Sequence, residues 1–118
     1  MRIWLDDVRP MPSGFDAHAR TEQEAISLLS GGNVAAISLD HDLGDGGSGY
    51  GVAVFIERAA KEGRLPRLEW DIHSMNPVGR EKMTAAMVNA DRFWDERESM
   101  ASLWINSNCK FAKKAGRS

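Results

Sequence analysis

Three short apolar runs in this chain each stop at chemically able side chains. Arg2–Leu5 runs into Asp6-Asp7, Val34–Leu39 into Asp40-His41-Asp42, and Leu68–Ile72 into His73-Ser74. Apolar runs of this length read as buried strands. Between and after them lie segments with helical periodicity, and Phe15–Ala19 adds a short alternating run. The order strand, strand, helix, strand, helix, strand, helix predicts an α/β fold with a mostly parallel sheet and helices on both faces. Such sheets bind ligands beyond the carboxyl ends of their strands. Three polar strand ends would then meet at one edge.

The helices are marked by their ends. Thr21-Glu22-Gln23-Glu24 is a capping box ahead of the stripe Ala25, Ile26, Leu28 and Leu29, and Gly31-Gly32 closes that helix. Gly44–Gly51 holds five glycines in eight residues, so a loop is expected there, with a helix over Val52–Ala60 stopped by Gly63 and Pro66. Asn76-Pro77 reads as an N-cap followed by proline in the first helical position, leading into the stripe Met83, Ala86, Met87 and Ala90. Beyond Asp91 the pattern fades. Phe93, Trp94, Leu103, Trp104 and Ile105 must still pack, as a helix or as a helix and a final strand.

The 118 residues make one domain with a single core. A net charge of −2 argues against a nucleic-acid partner, and the basic residues Lys110, Lys113, Lys114 and Arg117 read as a solvated tail. The single cysteine, Cys109, excludes an internal disulfide and zinc-type cysteine pairs. No signal-peptide apolar region and no membrane-length run occurs, so the expectation is a cytoplasmic protein with no membrane partner.

Adjacent carboxylates at a strand end repel unless a cation lies between them, and a hard divalent ion prefers such oxygen ligands. Asp6 and Asp7 are therefore candidate ligands for Mg²⁺ or Mn²⁺. Asp40 and Asp42, on one side at strand spacing, are candidates for the same ion. His41 and His73 are candidate proton-transfer groups, since imidazole titrates near neutrality. Ser74 is a candidate nucleophile or phosphate donor. Asn76, Arg80 and Ser48 are candidate phosphate ligands: Asn76 and Arg80 through the positive end of the helix they begin, Ser48 within the glycine-rich segment. His18 reads as structural. The His41-Asp42 dipeptide ends a strand, which separates it from the helical histidine–aspartate phosphohydrolase motif.

The blocks "WLDDVRPMP", "ISLDHDLG" and "HSMNPVGR" resemble the signatures of the cyclic-phosphate processing receiver-like domains, a divergent branch of the response-regulator receiver fold. The resemblance spans Ile3 to Met87. It implies a single receiver-like (flavodoxin-like) domain over 1–118, with its motifs in 1–90 and an extension over 91–118. It also implies a metal-binding acidic pair at Asp6-Asp7, a phospho-acceptor position at Asp40, and a hydroxyl position at Ser74. The sequence departs from ordinary receivers in three ways. A proline-rich loop stands where the first crossover helix belongs, no lysine ends a fifth strand, and His41 and His73 are additions.

The expected function is a metal-assisted phosphoesterase acting on a cyclic phosphate such as a cyclic nucleotide. Histidine ligands would favour Mn²⁺ or Zn²⁺ over Mg²⁺. A non-catalytic module that binds a nucleotide or a protein partner is the alternative, since Trp94 and Trp104 leave room for an interaction surface. A phospho-accepting receiver on Asp40 comes third. The arrangement carries its own test: His41 and His73 can share one site only if they lie on one side of the sheet.

Overall fold

A computed structural model describes the backbone of residues 1–114 and the side chains of residues 1–103. The elements follow in the order β1 (Arg2–Leu5), β2 (Ala17–Ala19), α1 (Glu22–Ser30), β3 (Ala36–Leu39), a 3₁₀ turn (Gly44–Gly46), α2 (Gly49–Lys61), β4 (Glu69–Ile72) and α3 (Pro77–Lys114). The four strands form one fully parallel sheet in the order β2-β1-β3-β4. This is the receiver-like arrangement the sequence implied, and no helix joins β1 to β2.

The register aligns the strand ends. Leu5 pairs with Ala19 and Leu39, and Leu39 pairs with Ile72. The next residue on each strand continues the ladder: Asp6 N–H donates to Ala19 C=O, Asp40 N–H to Leu5 C=O, and His73 N–H to Leu39 C=O. Asp6, Asp40 and His73 thus form one row across neighbouring strands, which lie roughly 4.8 Å apart.

Register also divides the two faces. Ile3, Leu5, Ala19, Ile37, Leu39 and Ile72 share one face and form a single core with residues of all three helices. The crossovers β2-α1-β3 and β3-α2-β4 step the same way across the sheet. Right-handed connections therefore put both helices on the same side, and α3 packs beside α2. The expected helices on both faces are thus, among the described residues, helices on one. The opposite face carries Arg2, Trp4, His18, Ser38 and Asp71. Its cover is the loop after β1, which sets Phe15 edge-on against Trp4 at 5.3 Å and hydrogen-bonds the Trp4 indole N–H to Arg9 C=O at 3.3 Å. A loop of this kind also explains why β2 begins at Ala17 and not at Phe15: the Phe15 ring is spent on Trp4.

Three further expectations are adjusted. Thr21 Oγ1 accepts from Glu24 N–H as predicted, but the Glu24 carboxylate takes the N–H of Arg20, not that of Thr21. The glycine-rich segment is shorter as a loop than expected, because Ser48 caps α2 by accepting from Gly51 N–H at 3.1 Å and the helix starts at Gly49. Finally, the helix begun at Pro77 does not stop near Asp91. No glycine or proline interrupts 80–114, and Ala, Met, Glu and Arg there favour helix. Met83, Ala86, Met87, Ala90 and Trp94 keep one stripe against the core, and Trp94 donates its indole N–H to Leu65 C=O at 2.8 Å. From Asp95 to Leu103 every residue is exposed. A final strand does not form among the described residues, and the side chains of Trp104 and Ile105 lie outside them.

Candidate functional site

The row at the strand ends forms a tight acid–imidazole cluster. Asp6, Asp40 and His73 each offer one ligand atom, and these atoms lie within 4.8 Å of one another. Asp6 is the anchor. It is 1% exposed. Its Oδ1 accepts the N–H groups of Val8 and Arg9 at 2.9 and 2.7 Å, and its Oδ2 accepts from His73 Nε2 at 3.0 Å. Burial alone would raise this carboxyl. The Arg9 and Val8 N–H groups and His73 outweigh it and hold Asp6 below the usual carboxylate range.

Asp40 has the opposite balance. Burial and the charge of Asp6 push its carboxyl up, and the N–H of His41 offsets this only in part. For His73, burial lowers the imidazole below its ordinary value despite the pull of Asp6 and Asp40. Its ring stacks on Trp4 with centroids 3.8 Å apart and planes 6° from parallel, and its Nδ1 meets Ser38 Oγ at 2.8 Å.

An open cleft of about 570 Å³ lies beside the cluster. Asp6, Asp7, Arg9, Asp40, Asp42, Ser74 and Asn76 line it, with Val8 and Met75 at about four-fifths exposure. Arg9 is the cation here. Its Nε is 4.0 Å from Asp6 Oδ2 and its guanidinium donates to His73 C=O at 2.9 Å, while the side chain stays 45% exposed.

The remaining candidates take different places. His41 does not join His73. It follows Asp40 by one residue and turns toward α3, where its ring lies so close to Gly79 that a Cβ there would sit 2.4 Å from His41 Cγ. His41 Nδ1 is buried with no hydrogen-bond partner, and His41 does not line the cleft. Arg80 is also elsewhere employed: its guanidinium donates to the C=O groups of Ile72 and Ser74 at 3.0 and 3.2 Å, tying down the end of β4. Ser48 caps α2, and Glu22 Oε1 accepts the Ser48 N–H at 3.1 Å, so a carboxylate already occupies that helix end. Asn76 caps α3 as expected, accepting from Gly79 N–H at 3.0 Å. Ser74 is buried and accepts from Asn76 N–H at 3.1 Å. Asp42 accepts from Gly44 N–H at 3.1 Å, with Asp7 close against Gly44. His18 Nε2 is bonded to Asp6 C=O at 2.8 Å, a structural contact as read.

Sequence reasoning passed over Arg9, Trp4 and Ser38. Arg9 stands three residues after Asp6, and Ser38 is the lone polar residue of a buried strand. Both positions carry a signal. An interruption of an apolar strand by one hydroxyl implies a buried partner.

With this geometry in place, the comparisons with known proteins agree with the motifs. The model of the cyclic-phosphate processing receiver domain matches residues 1–89. No curated protein and no solved structure gives a significant match. Among the described residues no helix is long and apolar enough to cross a membrane. A match over three quarters of the chain, on the segment that builds the row Asp6, Asp40 and His73, places this protein in the cyclic-phosphate processing receiver domain family.

Proposed function

We propose that this protein is a metal-assisted phosphoesterase that opens a cyclic phosphate, with a cyclic nucleotide as the substrate class. The observation that carries the reading is the Asp6–Asp40–His73 cluster, three ligand atoms within 4.8 Å of one another, whose two carboxylates line a cleft that also holds an arginine. Two carboxylates and one imidazole suit a divalent cation, and the imidazole favours Mn²⁺ or Zn²⁺ over Mg²⁺. Asp40 supplies the physical reason: its charge is disfavoured by burial and by Asp6, and a cation removes that penalty. When bound, such an ion supplies positive charge to a phosphoryl oxygen and lowers the pKa of a coordinated water.

The protein's own groups divide the other tasks. The Arg9 guanidinium, exposed at the cleft, binds the phosphate. Ser74 accepts from Asn76 and so keeps its O–H to donate to a phosphate oxygen. Asp7 and Asp42 line the same wall, and a carboxylate there can take a proton from the attacking water. His41 has no part in this scheme, because it stands against Gly79 and not at the cleft. Proton exchange between two histidines is therefore given up.

The test is turnover of 2′,3′- and 3′,5′-cyclic nucleotides with Mn²⁺. We expect activity that a chelator removes, that His73→Ala lowers at least 100-fold, and that Arg9→Ala lowers roughly 10- to 100-fold mainly through KM. Binding without turnover would make the protein a sequestering module. Neither binding nor turnover of any cyclic phosphate overturns the reading.

A further inference from the structure

Ser38 lies in the middle of β3 and is 5% exposed. A buried hydroxyl needs a partner, and this one meets His73 Nδ1 at 2.8 Å. The other ring nitrogen, Nε2, lies 3.0 Å from Asp6 Oδ2. Trp4 fixes the plane of the ring by stacking on it. All orientational freedom of His73 is thus removed by Ser38, Asp6 and Trp4 together.

The protons on this chain follow from what each group can do. A neutral imidazole carries one N–H, and an ionised carboxylate only accepts. Asp6 therefore takes the hydrogen of Nε2, and Nδ1 accepts from the Ser38 O–H. A cation held by Asp6, Asp40 and His73 needs the lone pair of that same Nε2. The ring stays neutral only if its single proton moves to Nδ1, where the Ser38 oxygen must accept it. The proton lost at Nε2 is matched by one gained at Nδ1 through solvent, so none is released overall. Ser38's own hydrogen then needs an acceptor. Asp71, its register partner on β4, borders the same small cavity on the open face of the sheet.

We propose that Ser38 is a positioning residue whose hydroxyl commits His73 Nε2 to the acid cluster and reverses from donor to acceptor when a cation replaces the Nε2 proton. A serine can do both; alanine can do neither. The inference rests on the metal reading above and extends it to a residue outside the cleft.

Two measurements separate the parts. The first is the tautomer of His73 in the full chain labelled with ¹⁵N-histidine, read from long-range ¹H–¹⁵N correlations and assigned against His73→Gln. Without cation we expect the Nε2–H form, and with Zn²⁺ the Nδ1–H form. The second is Zn²⁺ affinity by calorimetry. Ser38→Ala is expected to weaken it about 10- to 100-fold, the usual effect of losing a group that orients a metal-ligating histidine. Ser38→Thr, which keeps the hydroxyl and suits a strand, is expected to stay within a few-fold of wild type. An Nδ1–H form without cation, an unchanged tautomer on Zn²⁺ loading, or wild-type affinity in Ser38→Ala overturns the proposal. If Ser38→Ala does not fold, the wild-type tautomers and Ser38→Thr decide it. A wild-type chain that binds no Zn²⁺ overturns the metal reading and the reversal with it. The cation-free tautomer, read first, tells that outcome apart from a failure of Ser38 to direct Nε2.

Discussion

Asp6 and Asp40 are chemically identical side chains one strand apart, and their surroundings drive them in opposite directions. Asp6 has three donors and is held as a carboxylate. Asp40 has one, from His41 N–H, and pays for its charge. A raised folded value means that ionising Asp40 weakens the fold: the loss begins as pH rises above 3.8, the ordinary value, and is absent below it. Asp40→Asn is therefore expected to stabilise the cation-free protein at neutral pH by about 0.5–2 kcal/mol, the usual scale for relieving strain stored at a functional site. Thermal melts should show the gap between variant and wild type opening above pH 3.8. Mn²⁺ should then raise the wild-type Tm and leave the variant unchanged. A variant less stable than wild type at pH 7 without cation would count against this account. His73 and Asp6 have lowered values, so their contributions carry the other sign. That of His73 is whole above 6.5 and fades as pH falls below it, and that of Asp6 fades below 3.8.

At the scale of elements, the edge of the sheet was legible and its selection rule was not. Each apolar run announced its own polar end, which gave the right neighbourhood for Asp6, Asp40 and His73. Which residue of each pair enters the cluster depends on register, since a single step along a strand changes the face. Leu5, Leu39 and Ile72 are level, so the first residue past each run joins the row, and His41, the second, does not. Register arises from pairing between distant segments, and no local pattern states it. Arg80 and Ser48 have structural partners of their own for a related reason. Their types suit phosphate, but backbone carbonyls of β4 and the capping of α2 claim them first. The capping signals at Thr21 and Asn76 were legible because they act within one turn. Gly49 shows how closely the elements meet behind the site. A Cβ there would lie 1.8 Å from the backbone oxygen of Asp40, and Gly49 N–H donates to His41 C=O at 2.8 Å. Gly49→Ala is expected to cost about 1–3 kcal/mol through overpacking against rigid backbone, and to weaken cation binding as Asp40 shifts. Denaturant melts and calorimetry would register both, and an unperturbed variant would contradict the close approach.

For the whole molecule, a single core on one side of one sheet leaves little redundancy. Trp94 is 3% exposed and is, among the described residues, the last of α3 to enter that core. Its indole also closes the loop before β4 through Leu65. Trp94→Ala is expected to destabilise the chain by about 3–5 kcal/mol, the range for deleting a buried tryptophan, which is a large part of what a domain of this size has to lose. Urea unfolding should give a lower midpoint with little change in slope, and a loss under 1 kcal/mol would mean that the turn around Leu65 holds without it. The fold class was readable because alternating strands and helices have few solutions. The absent helical layer was less so. Its signature was the proline-rich loop, which shows where a helix is missing but not that Phe15 and Trp4 close the gap.

The helix α3 begins one residue after the Asn76 cap, at the rim of the cleft, and its residues from Asp95 to Leu103 are all exposed, bonded to the body through Asp95 and Glu98 on Arg67 and through Arg97 on Lys61 C=O. At about 1.5 Å per residue, the five residues from Ser99 to Leu103 run on for roughly 7 Å beyond the last of these bonds. It therefore works as a geared shaft rather than a tether. Inserting one residue within it would turn whatever is attached beyond by about 100° and advance it by about 1.5 Å, with the acid row left where it was. Orientation of a C-terminal attachment relative to the cleft is thus set by phase along the helix, and can be dialled one residue at a time.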